Sequence, residues 1–225
     1  MDEQQIGGAG SALADTKEAP LPKAESLALI ARVRRAPASA AQELADFPWS
    51  RWRPKVRATL IFIRRGDELL LIEKKTGLGA GKVNGPGGKL EPGETPRQCA
   101  HRELEEELSI TTEQLTPVAQ LRFLMSNYHD IECLVFFADG FSGRPLESPE
   151  ARPFWCPLDA IPWAQMWEDD VLWLPRALEG ERLRGAFALD GERLIAAQLD
   201  ALPAPQLTAL ADQLPAEGAL LGEER

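Results

Sequence analysis

The chain has 225 residues, and its 35 acidic against 25 basic side chains leave a formal net charge of −10, which excludes extended nucleic acid or an anionic membrane as partners held by bulk electrostatics. A hydrophobic share of 44% suffices for a buried core and excludes disorder along the full length. No apolar run approaches the roughly 20 residues of a membrane helix, the first residues lack the basic region of a secretory signal, and three cysteines without metal-type spacing fit reduced thiols in a cytoplasmic protein.

Residues 1–25, rich in Gly, Ala, Glu and Pro without periodicity, are predicted to be a disordered tail. A helical N-terminal extension is predicted over 26–55. Leu27, Ile30 and Ala31 stand at helical spacing until Pro37, and Ser39 with Gln42 resembles a capping box opening a second short helix. Trp49 and Trp52 are expected to pack this extension onto the main domain, predicted over 56–199. There, runs at 58–63 and 68–73 flank the turn-like Arg64-Arg65-Gly66-Asp67 and predict a hairpin, followed by a glycine-rich loop over 77–88.

The next element is a helix with Thr95 as N-cap, Pro96 at its first position, Gln98 completing a capping box, and Ala100, Leu104 and Leu108 as its apolar stripe. Strands are predicted at 118–125, 131–138 and 154–158, and a helix over 169–178 that ends at Gly180. Asp190-Gly191 then centres a hairpin between 187–189 and 193–195, and in the C-terminal extension, 200–225, Leu207, Leu210 and Leu214 suit one more amphipathic helix. Mixed strands and helices in this order predict an α/β/α sandwich around a mixed sheet.

The capped helix carries Glu103, Glu106 and Glu107 on one face, since i+3 and i+4 positions lie within about 60° of their origin. Like charges so spaced destabilise an isolated helix by a few tenths of a kcal/mol per pair, so a positive group should compensate them. Ordinary ion pairing with Arg102 is one solution. Clustered carboxylates beside a flexible glycine loop also suit Mg²⁺ or Mn²⁺, which take carboxylate, carbonyl and water oxygens.

The wider spacing favours the metal. Gly88, Glu94, Arg102-Glu103-Leu104, Glu106-Glu107 and Ile110 resemble the signature box of the Nudix hydrolases, a coincidence on the order of 10⁻⁵ by composition alone. Ser109 departs from the pattern, standing where the family usually has glycine. Serine in a left-handed helix end should cost about 1 kcal/mol, and altered loop geometry is expected there. The resemblance implies hydrolysis of a nucleoside diphosphate linked to another group. It makes Glu103, Glu106, Glu107 and the Gly88 carbonyl the metal-binding set, Arg102 the partner that orients the carboxylates, and Glu94 a supporting carboxylate. Four of the seven lysines, Lys74, Lys75, Lys82 and Lys89, fall in the 16 residues before this helix and suit either a triphosphate cradle or a solubilising loop, the second being the better account of Lys74 and Lys75 taken alone.

Three further stretches, over roughly 56–199, are similar to the oxidised-purine nucleoside triphosphatase branch. These are Gly77-Leu78-Gly79-Ala80-Gly81-Lys82-Val83-Asn84-Gly85-Pro86-Gly87-Gly88-Lys89, Glu147-Ser148-Pro149-Glu150-Ala151-Arg152-Pro153 and Met166-Trp167-Glu168-Asp169-Asp170-Val171-Leu172-Trp173. The resemblance implies that Asn84, Asp169 and Asp170 hydrogen-bond a base, that Trp167 stacks on it, and that Glu150 assists metal binding or water activation. Two adjacent carboxylates in an aromatic-walled pocket also repel one another, so one should hold its proton and offer a donor beside acceptors. Phe123 and Ile131 are candidate pocket walls, Trp173 a further aromatic one, and Lys74 and Lys89 candidate substrate contacts. The box itself leaves open other nucleotide substrates (nucleotide sugars, ADP-ribose, dinucleotides, capped RNA, alkylated purine nucleotides) and a nucleotide-binding module without turnover.

Overall fold

A computed structural model describes residues 19–215. Its strands are β1 (Val56–Arg65), β2 (Glu68–Lys74), β3 (Val83–Asn84), β4 (Ile110–Thr111), β5 (Thr116–Met125), β6 (Ile131–Ala138), β7 (Ser142–Gly143), β8 (Ala151–Pro157), β9 (Leu183–Asp190) and β10 (Arg193–Ala201). Its helices are α1 (Lys23–Arg35), α2 (Ala40–Ala45), α3 (Pro96–Leu108), α4 (Asp170–Leu178) and α5 (Ala204–Asp212). The main sheet runs β10-β9-β5-β6-β1-β2-β3, with β8 added to β2. Parallel pairs β1–β6 and β5–β9 among antiparallel neighbours make it mixed, as predicted. The centre of β1, Leu60 to Ile63, is continuously apolar because both faces of the strand are covered there, and Ile61, Phe62 and Ile63 are all fully buried.

Alternation along the strands divides the core. Phe62, Leu71, Leu121, Cys133 and Phe187 pack under α4 with Trp173 and Leu174, whereas Ile61, Ile63, Leu70 and Ile72 pack under α3 and α5 with Leu104 and Leu207. The N-terminal extension covers the far end of the second face, where Leu29, Ile30, Val33, Leu44 and Trp52 meet Leu124, Ala186, Ala188 and Ala196. Trp49 completes the contact by carrying the Arg122 guanidinium 4.0 Å from its ring centroid. All three cysteines are free and buried, and no described helix is long and apolar enough to cross a membrane.

Several local expectations are corrected. Helix α1 begins at Lys23, so three residues of the stretch read as a tail are helical, while residues 1–18 lie outside those described. Its buried stripe is Ser26, Leu29, Ile30 and Val33, with Leu27 41% exposed, because the hydroxyl of Ser26 finds a buried acceptor in Asp130. Ser39 caps nothing: it is the last residue of a short 3₁₀ turn, Pro37–Ser39, and its hydroxyl donates back to the Ala36 carbonyl at 2.9 Å. The glycine-rich loop contains β3, paired to β2 through Ile72 and Glu73. Asp190 pairs with Arg193, which centres that hairpin on Gly191 and Glu192, with Gly191 at φ 65°. The last helix stops at Asp212 and buries Leu207 and Ala211, leaving Leu214 54% exposed beyond it. Residues 216–225 lie outside those described.

Two features of α3 fix where its carboxylates stand. Thr95 Oγ1 accepts from the Gln98 N–H and Gln98 accepts from the Thr95 N–H, a complete capping box. At the other end Ser109 takes the left-handed conformation itself, φ 57° and ψ 38°, with its N–H on the Glu105 carbonyl at 2.9 Å. The loop geometry is therefore the one a glycine would give, not an altered one. Ser109→Gly is expected to stabilise the protein by about 1 kcal/mol, read as a rise in melting temperature with activity unchanged.

Candidate active site

Arg102 organises the acidic face of α3. Its Nε and Nη2 donate to the two oxygens of Glu94 (2.9 and 3.0 Å), its Nη1 to Glu103 (2.9 Å) and Glu106 (3.0 Å), and its Nη2 also to the Lys89 carbonyl (3.1 Å). Burial works against the charge of Glu94, but Arg102 and the Glu91 N–H outweigh it and hold that carboxyl below its usual range. Glu103 is pushed up to about 7, first by burial, with Arg102 opposing and Glu107 and Glu106 adding to the rise. Glu107 is buried and also raised, by burial first. The Gly87 N–H (3.0 Å) and the Lys74 ammonium (3.8 Å) oppose that shift, and the charge of Glu150 adds to it. Glu106 remains largely in solvent.

Gly88 lies so close to this group that a Cβ there would fall 2.1 Å from Glu103 Oε1. Its carbonyl accepts from the Thr59 N–H at 2.8 Å and, more weakly, from the Cys99 thiol at 3.7 Å.

A second acidic group stands where α4 begins. Asp169 and Asp170 are 2% and 3% exposed, and the Trp167 N–H donates to Asp170 Oδ2 at 3.1 Å. Burial raises both, Asp170 well above its ordinary value because the neighbouring Asp169 charge adds to its desolvation. The buried indole N–H of Trp173 closes no hydrogen bond of normal geometry, yet it acts on both carboxyls and lowers them. Half-buried Trp167 is held between the glycine-rich loop, where a Cβ on Gly79 would meet its ring at 3.2 Å, and the Lys82 ammonium, 4.8 Å from its centroid. Asn84, on β3, uses Oδ1 to accept the Gly85 N–H. Phe123 stacks on Phe187 with centroids 5.3 Å apart and pairs across the strands with Ile131.

The NUDIX domain model matches residues 54–177, more than half of the chain. The chain belongs to the Nudix family. It is similar to the oxidized purine nucleoside triphosphate hydrolases of Danio rerio (41% identical over 138 residues, 61% of this chain and 88% of the relative) and Mus musculus (38% over 138 residues, with the same coverage). Among solved structures it is similar to a mutator MutT protein from Bacillus halodurans, with 25% identity, a TM-score of 0.58, and coverage of 66% of this chain and 99% of that one.

Nudix hydrolases use divalent metals, and the donors on α3 fit such an ion in chemistry. Glu103 and Glu107 are hard oxygen donors, desolvated and mutually repulsive, and a cation would relieve both penalties. As the side chains stand, no three His, Cys, Asp or Glu groups among the described residues converge on one point, because Arg102 draws Glu103 and Glu106 toward itself. Joint ligation by Glu106 needs a side-chain rotation in an exposed residue, a small rearrangement.

Two expectations change. The four lysines form no common cradle: Lys74 approaches Glu107, Lys75 pairs with Glu147 at 2.6 Å, Lys82 with Glu192 at 3.2 Å, and Lys89 lies 5.9 Å from the Tyr128 ring. Each cation sits beside a different neighbour, and only Lys74 faces the acidic helix. Trp173 is fully buried, 5.9 Å from Phe62, so it supports the aspartates from within the core and offers no face to a ligand. Sequence reasoning missed the seat of Trp167, made by Gly79 and Lys82, because a cation over an aromatic ring leaves no spacing signal across 85 residues of chain. Two surface clefts, one bounded by Arg57, Gln120 and Glu132 and one by Arg65, Arg144 and Trp155, share no residue with the two acidic groups.

Proposed function

We propose that the protein hydrolyses oxidised purine nucleoside triphosphates, 8-oxo-dGTP and also 2-hydroxy-dATP, to the monophosphate and pyrophosphate, and so sanitises the nucleotide pool. The observation that carries the substrate is the buried Asp169-Asp170 pair beside Trp167. One carboxyl of a pair so desolvated keeps its proton, and together they present a donor and acceptors to a purine edge. Loss or gain of a hydrogen-bond partner against a buried group costs about 1–3 kcal/mol, enough to separate an oxidised purine from its parent base. Trp167 offers the stacking surface, Asn84 a further polar contact, and Phe123 with Ile131 the apolar wall. The similarity to the oxidized purine nucleoside triphosphate hydrolases of Danio rerio and Mus musculus supports the same reading.

Glu103, Glu106, Glu107 and the Gly88 carbonyl would hold Mg²⁺ or Mn²⁺, with Glu150 beside Glu107. The bound ion supplies polarisation of the phosphoryl oxygens and a more acidic water. Arg102 keeps two of those carboxylates in place while spending its fork on Glu94, and Lys74, near Glu107, is the cation placed to meet a phosphate oxygen.

Pyrophosphate release from 8-oxo-dGTP, dGTP, 2-hydroxy-dATP and ADP-ribose in Mg²⁺ tests the assignment. Faster turnover of the oxidised purines is expected. Equal rates on 8-oxo-dGTP and dGTP would remove the sanitation reading, activity confined to ADP-ribose would move the enzyme to another Nudix substrate, and binding without turnover would make it a nucleotide-binding module.

A further inference from the structure

The N-terminal extension and the turn between β5 and β6 meet at one buried carboxylate. Asp130, 6% exposed, closes that turn immediately before Ile131. Its Oδ2 accepts from Ser26 Oγ (2.5 Å) and Trp52 Nε1 (3.2 Å), and its Oδ1 from the Met125 N–H (3.2 Å) and the Lys23 ammonium. The same ammonium donates to the Met125 carbonyl at 2.5 Å, so Lys23 holds both ends of the turn. A carboxylate this buried is stable only while its donors stay in place, and three of the four come from the extension.

A second tie leads to the same rim. Arg34 of α1 pairs with Asp190 at the turn between β9 and β10. Asp190 also accepts from Ser126 Oγ (3.0 Å), which in turn accepts the Gly191 N–H (2.8 Å), locking the two turns together. Glu192 in the second turn pairs with Lys82, the residue whose ammonium lies over Trp167. The extension is thus connected to Phe123 and Ile131 through one turn and to Trp167 through the other. It lies almost entirely outside residues 54–177, the part matched to the family model.

We propose that Asp130 is a positioning residue through which the N-terminal extension sets the rim of the purine pocket, so that the extension governs substrate affinity without touching substrate. This rests on the assignment of Trp167, Asp169 and Asp170 to the base. Lys23 and Ser26 act through Asp130, and none of the three lies among the groups that meet the triphosphate.

The full chain carrying Lys23→Met, Ser26→Ala or Asp130→Asn is compared with the parent. KM for 8-oxo-dGTP is expected to rise about 5- to 10-fold with kcat within about twofold, and Lys23→Arg and Ser26→Thr should return KM to near the parent value. Hydrogen exchange in residues 123–131 should accelerate in the first set while α3 keeps its protection. A lowered melting temperature with parent-like KM and parent-like exchange in 123–131 would reduce these contacts to ordinary stability and overturn the proposal. Ser26→Ala removes a single hydroxyl and keeps the comparison available should Asp130→Asn fold poorly. The exchange measurement needs no substrate, so it judges Asp130 even if the parent prefers another nucleotide, in which case the KM ratio is taken on that nucleotide.

Discussion

Glu107→Gln should lower kcat by at least about 100-fold while making the metal-free protein more stable. Loss of a group that merely supports a metal ligand costs about 10- to 100-fold, so loss of a ligand itself starts at the top of that range. The stability gain follows from burial. The folded-state pKa of Glu107 is raised, so the folded protein bears the cost of an uncompensated buried charge once pH exceeds that pKa. The contribution of the protonated form is fully present below the unfolded value, near pH 4.3, and is lost as pH rises through the folded value. Glutamine keeps an acceptor for the Gly87 N–H and carries no charge. A rise of about 2–4 °C in melting temperature at pH 8 is expected from about 1 kcal/mol, shrinking toward pH 4. Adding Mg²⁺ should reverse the order, because only the parent gains binding energy from it. Parent-like turnover in the variant would show that this face of α3 holds no essential ion.

The second large effect concerns the base. Asp169→Asn and Asp170→Asn should each cut the preference for 8-oxo-dGTP over dGTP by about 10- to 100-fold, corresponding to about 1–3 kcal/mol for a mispaired buried polar group. The rate on the better substrate at saturation should fall much less, since neither carboxyl lies on the acidic face of α3. Proton linkage gives a distinctive signature. Both pKa values are raised, so the shared proton is held below them and lost as pH rises through them. KM for the oxidised purine should therefore rise in the parent as pH climbs through about 7, the value to which Asp169 is raised, and the Asn variants should flatten that profile. A parent KM independent of pH, with selectivity retained in both variants, would remove the pair from base recognition.

The acidic helix was legible because its signals are local. Thr95 and Gln98 fix its start, the apolar stripe fixes its inner face, and three glutamates then share the remaining one. The buried aspartate pair was legible as adjacent aspartates at a helix start. What escaped was long-range. Asp130 is an unremarkable turn residue in sequence, and only the fold brings Lys23, Ser26 and Trp52 to it. The lysine group misled for the converse reason, since closeness along the chain does not make side chains converge when each finds a separate neighbour. The buried stripe of α1 was misread because a serine on it behaves as core once its hydroxyl is paired.

The three buried thiols have a consequence for where such an enzyme can work. Burial pushes Cys99 up to about 12, Cys133 well above its ordinary value, and Cys156 upward as well. Peroxide attacks thiolate, not thiol, so all three are poor targets at neutral pH. Cys99 lies 3.5 Å from Arg102 Nη2, yet burial keeps it a thiol at neutral pH, so a catalyst whose substrates accumulate under oxidant attack carries on its acidic helix a sulfur that the same oxidant reaches slowly.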